Sequence, residues 1–176
     1  VWLDLRNRKT EIMAATSSDG GKTWSKNVLV YKSPDGSVCE CCHPSVAFDG
    51  RGAIYVQWRN SLAGSRDMYM ATSSDGGKSF GKANKLGSGT WPLKACPMDG
   101  GGIACLGENF VAIWRRDKSV YFFAKADGEE RHLGAHGACE LEGHVAQPAE
   151  ADDAHALAGL HVPVAKRRIG GDARAE

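Results

Sequence analysis

Five residues in two loops could bind a metal ion, and the four cysteines among them could form disulfides instead: Cys39, Cys41, Cys42, His43 and Cys96. Thiolates and an imidazole together are suitable ligands for zinc or copper. The six cysteines of the chain are spaced too irregularly for the paired Cys-x-x-Cys units of a zinc finger. An exported protein would favour one disulfide, from Cys41 or Cys42 to Cys96, with the other thiols buried. No cofactor is expected on this interpretation, and a zinc or copper site is the alternative.

These loops belong to a sequence that repeats. Residues 17–24 (SSDGGKTW) recur as residues 73–80 (SSDGGKSF), 56 positions further along, and a Trp-Arg pair recurs at 58–59 and 114–115. Apolar and polar residues alternate before each octapeptide, and Gly, Asp and Ser cluster between the alternating stretches. This pattern predicts four short antiparallel strands in each unit. Residues 127–128 (DG) mark a third, degenerate copy of the octapeptide. Four strands repeated at such an interval are typical of the blades of a β-propeller.

The repeated octapeptide has the composition of a tight turn between two strands. Its Asp can accept hydrogen bonds from turn N–H groups, and its glycines can adopt the positive φ that such a turn requires. The aromatic ring at its end is expected to be buried between strands. A calcium loop would need several more oxygen ligands, so the structural role is favoured. The residues assigned to these turns are Ser17, Asp19, Gly21 and Trp24 in the first copy and Ser73, Asp75, Gly77 and Phe80 in the second.

Composition and charge restrict the range of partners. The formal net charge is +1 and the sequence pI is about 7.8, which argues against nucleic acid or a membrane surface as a partner. No apolar run approaches the roughly 18 residues of a membrane helix. The chain begins in a predicted strand at Val1, so we expect a fragment of a secreted or periplasmic protein whose signal lies upstream. Residues 1–134 form the repeating domain. Residues 135–176 read as an irregular or foreign tail, such as a shifted reading frame would produce, or as a short helical extension.

The two octapeptides follow the Ser-x-Asp-x-Gly-x-Thr-Trp pattern, and residues 1–134 resemble the sialidase-like Asp-box propellers, also called bacterial neuraminidase repeat proteins. The resemblance implies an all-β fold with about two and a half four-stranded blades of a six-bladed propeller, the remaining blades being absent from this chain. It also implies a glycoside hydrolase of the exo-α-sialidase type, acting on terminal sialic acid or another acidic sugar. Because Asp boxes also occur in propellers without activity, the alternative is a non-catalytic propeller that binds a glycan or a protein partner.

The resemblance also implies roles for particular residues. Sialidases hold the substrate carboxylate with three arginines, and the arginines at predicted strand ends are Arg6, Arg59 and Arg115. Asp67 resembles the acid/base, although Arg66 beside it would lower its pKa. Each of these arginines could instead form a salt bridge, and Asp67 could be a surface turn residue. No Tyr–Glu nucleophile pair is recognisable in the sequence.

Overall fold

The computed structural model describes residues 1–34, 38–126 and 129–133, which form three antiparallel sheets. Sheet I comprises β1 (Trp2–Asp4), β2 (Glu11–Ala14) and β3 (Val28–Lys32). Sheet II comprises β4 (Ser45–Phe48), β5 (Ile54–Arg59), β6 (Met68–Ser73) and β7 (Asn84–Lys85). Sheet III comprises β8 (Gly102–Leu106), β9 (Asn109–Arg116), β10 (Ser119–Ala126) and β11 (Glu129–Leu133).

Each sheet is a meander in which strands that are consecutive in the chain pair with each other. The predicted all-β fold is confirmed, and the only helical element in the described ranges is a 3-10 turn at Leu62–Gly64. In this part of the chain the three sheets do not close into a ring. Within the described residues, no helix is long and apolar enough to cross a membrane. The degenerate third octapeptide and the predicted tail both lie outside the described residues.

Sheet II has an apolar core on each of its two faces. Ile12 of β2 packs with Trp58 of β5 in the first core, and Met68 of β6 packs with Phe110 and Trp114 of β9 in the second. Every residue of β5 is buried. A side chain of this size, moved from water into such a core, contributes about 1.5–3 kcal/mol to stability. The central strand β5 therefore anchors the loops that follow and precede it.

The Asp side chains of the two octapeptides fold the connecting turns, as the sequence predicts. Asp19 accepts hydrogen bonds from the Thr23 N–H at 2.9 Å and the Thr23 hydroxyl at 2.6 Å. Asp75 accepts the equivalent bonds from Ser79 at 3.0 and 2.6 Å. Gly77, at the same place in its turn as Gly21, has φ of 83° and would bring a Cβ within 2.7 Å of Thr16 Cγ2. The second turn therefore requires glycine there for both conformation and space.

The aromatic residues that end the two octapeptides differ in burial. Phe80 packs against the core between sheets I and II, as expected. Trp24 does not, since 64% of its surface is exposed. Its indole N–H donates to the Gly21 carbonyl at 3.1 Å, which holds the ring over its own turn. The expectation that Trp24 is buried between strands is therefore wrong.

Candidate metal centre

Four cysteines from the two predicted loops bring their sulfur atoms together. The Sγ atoms of Cys39, Cys41, Cys42 and Cys96 all lie within 4.8 Å of one another. Cys41 and Cys96 are joined as a disulfide, and Cys39 and Cys42 are thiols whose sulfurs are 2.9 Å apart. The prediction that Cys41 or Cys42 pairs with Cys96 is confirmed for Cys41. Cys42, the other member of the vicinal pair, is buried and lies against Cys39.

Several of the sulfur–sulfur separations match those of a tetrathiolate metal site. A tetrahedral zinc ion with four sulfurs at about 2.3 Å places the sulfurs about 3.8 Å apart. Cys96 Sγ lies 3.8 Å from Cys39 Sγ and 3.9 Å from Cys42 Sγ. Cys39 Sγ and Cys41 Sγ are 4.0 Å apart. With the disulfide reduced, these four side chains could surround one ion without a large movement of the backbone.

The first loop is fixed by the end of β5. The Cys39 N–H donates to the Arg59 carbonyl at 2.9 Å, and Val38 bridges to Asn60 in antiparallel register. The Cys42 N–H then donates to the Cys39 carbonyl at 3.3 Å, which closes a turn over the three cysteines. This turn directs the sulfurs of Cys39 and Cys42 to the same side of the loop. A Cys-x-x-Cys spacing is typical of metal ligands for this reason.

The second loop is held by three arginines. Arg59 donates to the Asp99 carbonyl at 2.9 Å and forms an ion pair with the Asp99 carboxylate. Arg66 donates to the Leu93 and Ala95 carbonyls at 3.3 and 3.1 Å, immediately before Cys96. Arg115 donates to the Pro97 carbonyl at 3.1 Å, so the chain is tied on both sides of Cys96.

Glycines allow the second loop to approach the first. A Cβ on Gly100 would overlap the carbonyl oxygen of His43, the residue that follows the three cysteines. Gly101 has φ of 68°, and a Cβ there would lie 2.5 Å from both Gln57 Nε2 and the Ile113 carbonyl oxygen. Only glycine fits both positions without a shift of the neighbouring backbone. The glycine run after Asp99 therefore keeps the two cysteine loops in contact.

Backbone groups near the sulfurs favour their anionic forms. The Met98 N–H donates to Cys96 Sγ at 3.3 Å. The backbone of Cys41 acts to lower the pKa of Cys39, and the backbone of Asp99 acts to lower the pKa of Cys42. A hydrogen bond to a sulfur favours its anionic form, which is the form that binds metal. The Met98 bond is therefore an outer contact of the kind that a thiolate centre needs.

Neighbouring charges act in the same direction for Cys39. The hydrogen bond with Cys42 lowers the pKa of Cys39, and the positive charges of Arg66 and Arg59 lower it further against the effect of burial. The same contact with Cys39 raises the pKa of Cys42, and burial adds to that rise. In the metal-free pair, Cys39 is therefore the thiol that ionises more readily.

The structure brings together two of the three arginines assigned to substrate binding. Arg59 and Arg115 both contact the Asp99 carboxylate, and their guanidinium carbons lie 5.4 and 5.2 Å from the centre of the Trp91 ring. Arg59 is fully buried and also donates to the Arg66 and Arg115 carbonyls, whereas 44% of the Arg115 side chain is exposed. Arg6 binds Asp4 in sheet I at 2.7 Å.

Asp67, assigned as acid/base, is buried and fixed by hydrogen bonds. Its carboxylate accepts from the Thr90 hydroxyl at 2.7 Å and the Trp91 N–H at 2.8 Å, and it forms an ion pair with Lys85 at 2.9 Å. Burial acts to raise the pKa of Asp67, but the bonds from Thr90, Lys85 and Trp91 outweigh it and leave the pKa below its usual value. A general acid needs a raised pKa, so this environment favours a structural anion.

Three further residues lie near the cluster: one predicted ligand, and two residues for which the sequence predicted no role in this site. His43 has an exposed side chain and is not one of the four ligands in the cluster. Arg66 and Asp99 hold the Cys96 loop, yet neither was assigned a role there from the sequence. The signal for Asp99 was its position between Cys96 and the glycine run.

No protein-family model matches the chain, and none of the curated protein sequences matches it either.

Proposed function

We propose that the three sheets are consecutive blades of an Asp-box β-propeller, and that its function is to hold a zinc or copper ion in a four-cysteine centre. The blade assignment is supported by the consecutive meanders, by the equivalent Asp19 and Asp75 turns, and by the burial of sheet II between two apolar cores. The loops that carry the cysteines lead into β4 and β8, the first strands of sheets II and III.

The observation that carries the metal assignment is the convergence of the four sulfurs within 4.8 Å of one another. Isolated buried thiols need no partner, whereas four cysteine sulfurs that converge from two loops are typical of a thiolate metal site. Zinc and copper(I) both prefer thiolates. The ion would join the loops of two sheets, and because Cys41 is exposed it could exchange with solvent.

Metal binding by the reduced protein tests this function. The protein is reduced, freed of metal, and titrated with zinc against a chromogenic chelator. We expect about one equivalent to bind. Cobalt bound in its place should give the visible absorption of a tetrahedral thiolate complex.

Two serine variants locate the site. Cys96→Ser should weaken binding by more than the roughly 10–100-fold that loss of an outer contact costs. Cys105→Ser is the matched control, because Cys105 is a half-buried thiol on β8 outside the cluster. Absence of binding in the reduced protein, or equal losses in both variants, would contradict the metal centre.

A glycoside hydrolase acting on an acidic sugar is the second candidate function. The observation that favours it is Arg115, whose partly exposed guanidinium stacks near Trp91 beside a second arginine. A carboxylate ligand could replace Asp99 on this cation. Arg115→Ala should then abolish binding of a sialoside and spare a neutral galactoside, whereas Arg51→Ala, an exposed control, should change neither. If the unmodified chain neither binds nor cleaves a sialoside, this candidate is excluded.

A further inference from the structure

The four sulfurs of the proposed metal centre can also pair covalently, and one pair does so in this structure. Cys41 and Cys96 form a disulfide across the two loops, while Cys39 and Cys42 remain thiols. The Cα atoms of Cys41 and Cys96 are 6.6 Å apart, within the range in which a disulfide can form. The same backbone positions therefore serve both a disulfide and a set of four ligands.

The four cysteines differ in their access to solvent. Cys41 is exposed and Cys96 is half-buried, whereas Cys39 and Cys42 are 1% and 0% exposed. Thiol–disulfide exchange requires an attacking sulfur that the reagent can reach. A small oxidant therefore reaches Cys41 first, and Cys96 is the half-buried partner that completes the bond.

Formation of this disulfide is incompatible with metal binding by all four cysteines. Two of the four ligands are lost, and the two that remain, Cys39 and Cys42, can share a proton across their 2.9 Å contact. The loop that carries Cys96 need not move, because Arg59, Arg66 and Arg115 bind its backbone and Asp99.

We propose that the Cys41–Cys96 pair is a redox switch that releases the metal ion when it is oxidised, an inference that rests on the proposed metal centre. The oxidant is a low-molecular-weight disulfide, RSSR. The Cys41 thiolate attacks one sulfur of RSSR and expels RS⁻; the Cys96 thiolate then attacks the Cys41 sulfur of the mixed disulfide and expels the second RS⁻. Two protein thiolates are thereby oxidised, and RSSR is reduced to two RS⁻, which take protons from water. The metal ion leaves with its charge, and a reductant reverses the sequence.

Zinc release during controlled oxidation tests the switch. The full chain carrying Cys105→Ser and Cys139→Ser, so that only the four cluster cysteines remain, is reduced and loaded with zinc. It is then exposed to increasing ratios of oxidised to reduced glutathione. Free zinc is followed with a chromogenic chelator, and thiols are trapped by alkylation. Digestion with trypsin and a glutamate-specific protease cuts after Glu40, which separates Cys39 from Cys41.

We expect zinc release to follow the appearance of the Cys41–Cys96 link, and excess reductant to restore binding. Two further variants give a matched comparison, since each lacks one ligand. Cys42→Ser keeps both Cys41 and Cys96. It should release its zinc at a ratio of oxidised to reduced glutathione at which Cys41→Ser still holds zinc. Cobalt replaces zinc if either variant binds it too weakly.

The outcomes separate this inference from the function on which it rests. If the reduced four-cysteine protein binds no zinc, the metal centre itself is wrong. If zinc binds but remains bound when the Cys41–Cys96 link is complete, the switch is wrong and the metal centre stands. Release that accompanies a Cys39–Cys42 link, or equal release from the two variants, would likewise overturn the switch alone.

Discussion

Ser73 and Ser17 occupy the same position in the two Asp-box turns, yet replacing each by Ala should have unequal effects. Ser73 Oγ accepts the Gly77 N–H at 2.9 Å and donates to Asp75 Oδ1 at 2.7 Å. Ser17 Oγ makes the equivalent bonds to Gly21 and Asp19, both at 2.8 Å. The two serines thus make equivalent hydrogen bonds in turns that differ in burial.

The difference arises from burial. Ser73 is 1% exposed and Gly77 is buried, so Ser73→Ala leaves the Gly77 N–H without an acceptor and without access to water. An unsatisfied buried donor costs about 1–3 kcal/mol of folding free energy. Gly21 is exposed, so water can replace the lost hydroxyl, and Ser17→Ala should cost about 0.5–1 kcal/mol. We therefore expect Ser73→Ala to be the more destabilising by about 1 kcal/mol or more.

Urea unfolding followed by tryptophan fluorescence measures both free energies of unfolding. The unmodified chain and both variants are compared in the reduced, metal-free state at one low protein concentration, with the urea dependence checked for equal slopes. Equal losses, or a larger loss for Ser17→Ala, would refute the argument that burial sets the cost of the Asp-box hydrogen bonds.

Two further predictions concern acid stability and association. Hydrogen bonds from Thr23 and Ser17 lower the pKa of Asp19 to about 2 from its ordinary 3.8. The ionised Asp19 therefore contributes its full stabilisation above about pH 4 and loses it as the pH falls towards 2. The urea midpoint of the unmodified chain should drop in that interval, and that of Asp19→Asn should drop by less. Equal drops in the two proteins would contradict the lowered pKa of Asp19. Strand alternation places Leu106, Ile113 and Val120, each more than 40% exposed, on the face of sheet III opposite Trp114. Analytical ultracentrifugation should then show association of the chain that increases with concentration and that Ile113→Lys reduces. A monomer at all concentrations would contradict association through this face.

The sequence was sufficient to predict the all-β class and the octapeptide turns, because the signals for both are local. Alternation in the strands and the turn residues around Asp19 and Asp75 act within a few positions, and the structure reproduces both. The burial of Trp24 could not be predicted in this way, because it depends on the surface that a neighbouring sheet offers to the ring. The second turn offers Phe80 such a surface, and the first does not offer one to Trp24.

The sequence predicted where the cysteine site lies more successfully than it predicted the roles of the individual residues. The sequence predicted that Cys41 or Cys42 pairs with Cys96, but the vicinal cysteines obscured the Cys-x-x-Cys spacing of Cys39 and Cys42. The sequence shows that Arg59 ends a strand; it does not show that the guanidinium turns inward to Asp99. Side-chain direction at a strand end depends on long-range packing, which no local pattern encodes.

The contact between the two cysteine loops gives a final prediction that separates their geometry from their composition. Gly100→Ala would force the new Cβ onto the His43 carbonyl oxygen and so push the Cys96 loop away from the first loop. Gly102→Ala is the matched control, since its Cβ would lie 3.7 Å from Ile113 Cγ1, an ordinary contact, and neither glycine needs positive φ. Zinc titration of the reduced variants should show at least the roughly 10-fold loss typical of a disturbed outer contact for Gly100→Ala, and none for Gly102→Ala. Unchanged affinity in Gly100→Ala, with its urea midpoint intact, would mean that the approach of the loops does not position the sulfurs.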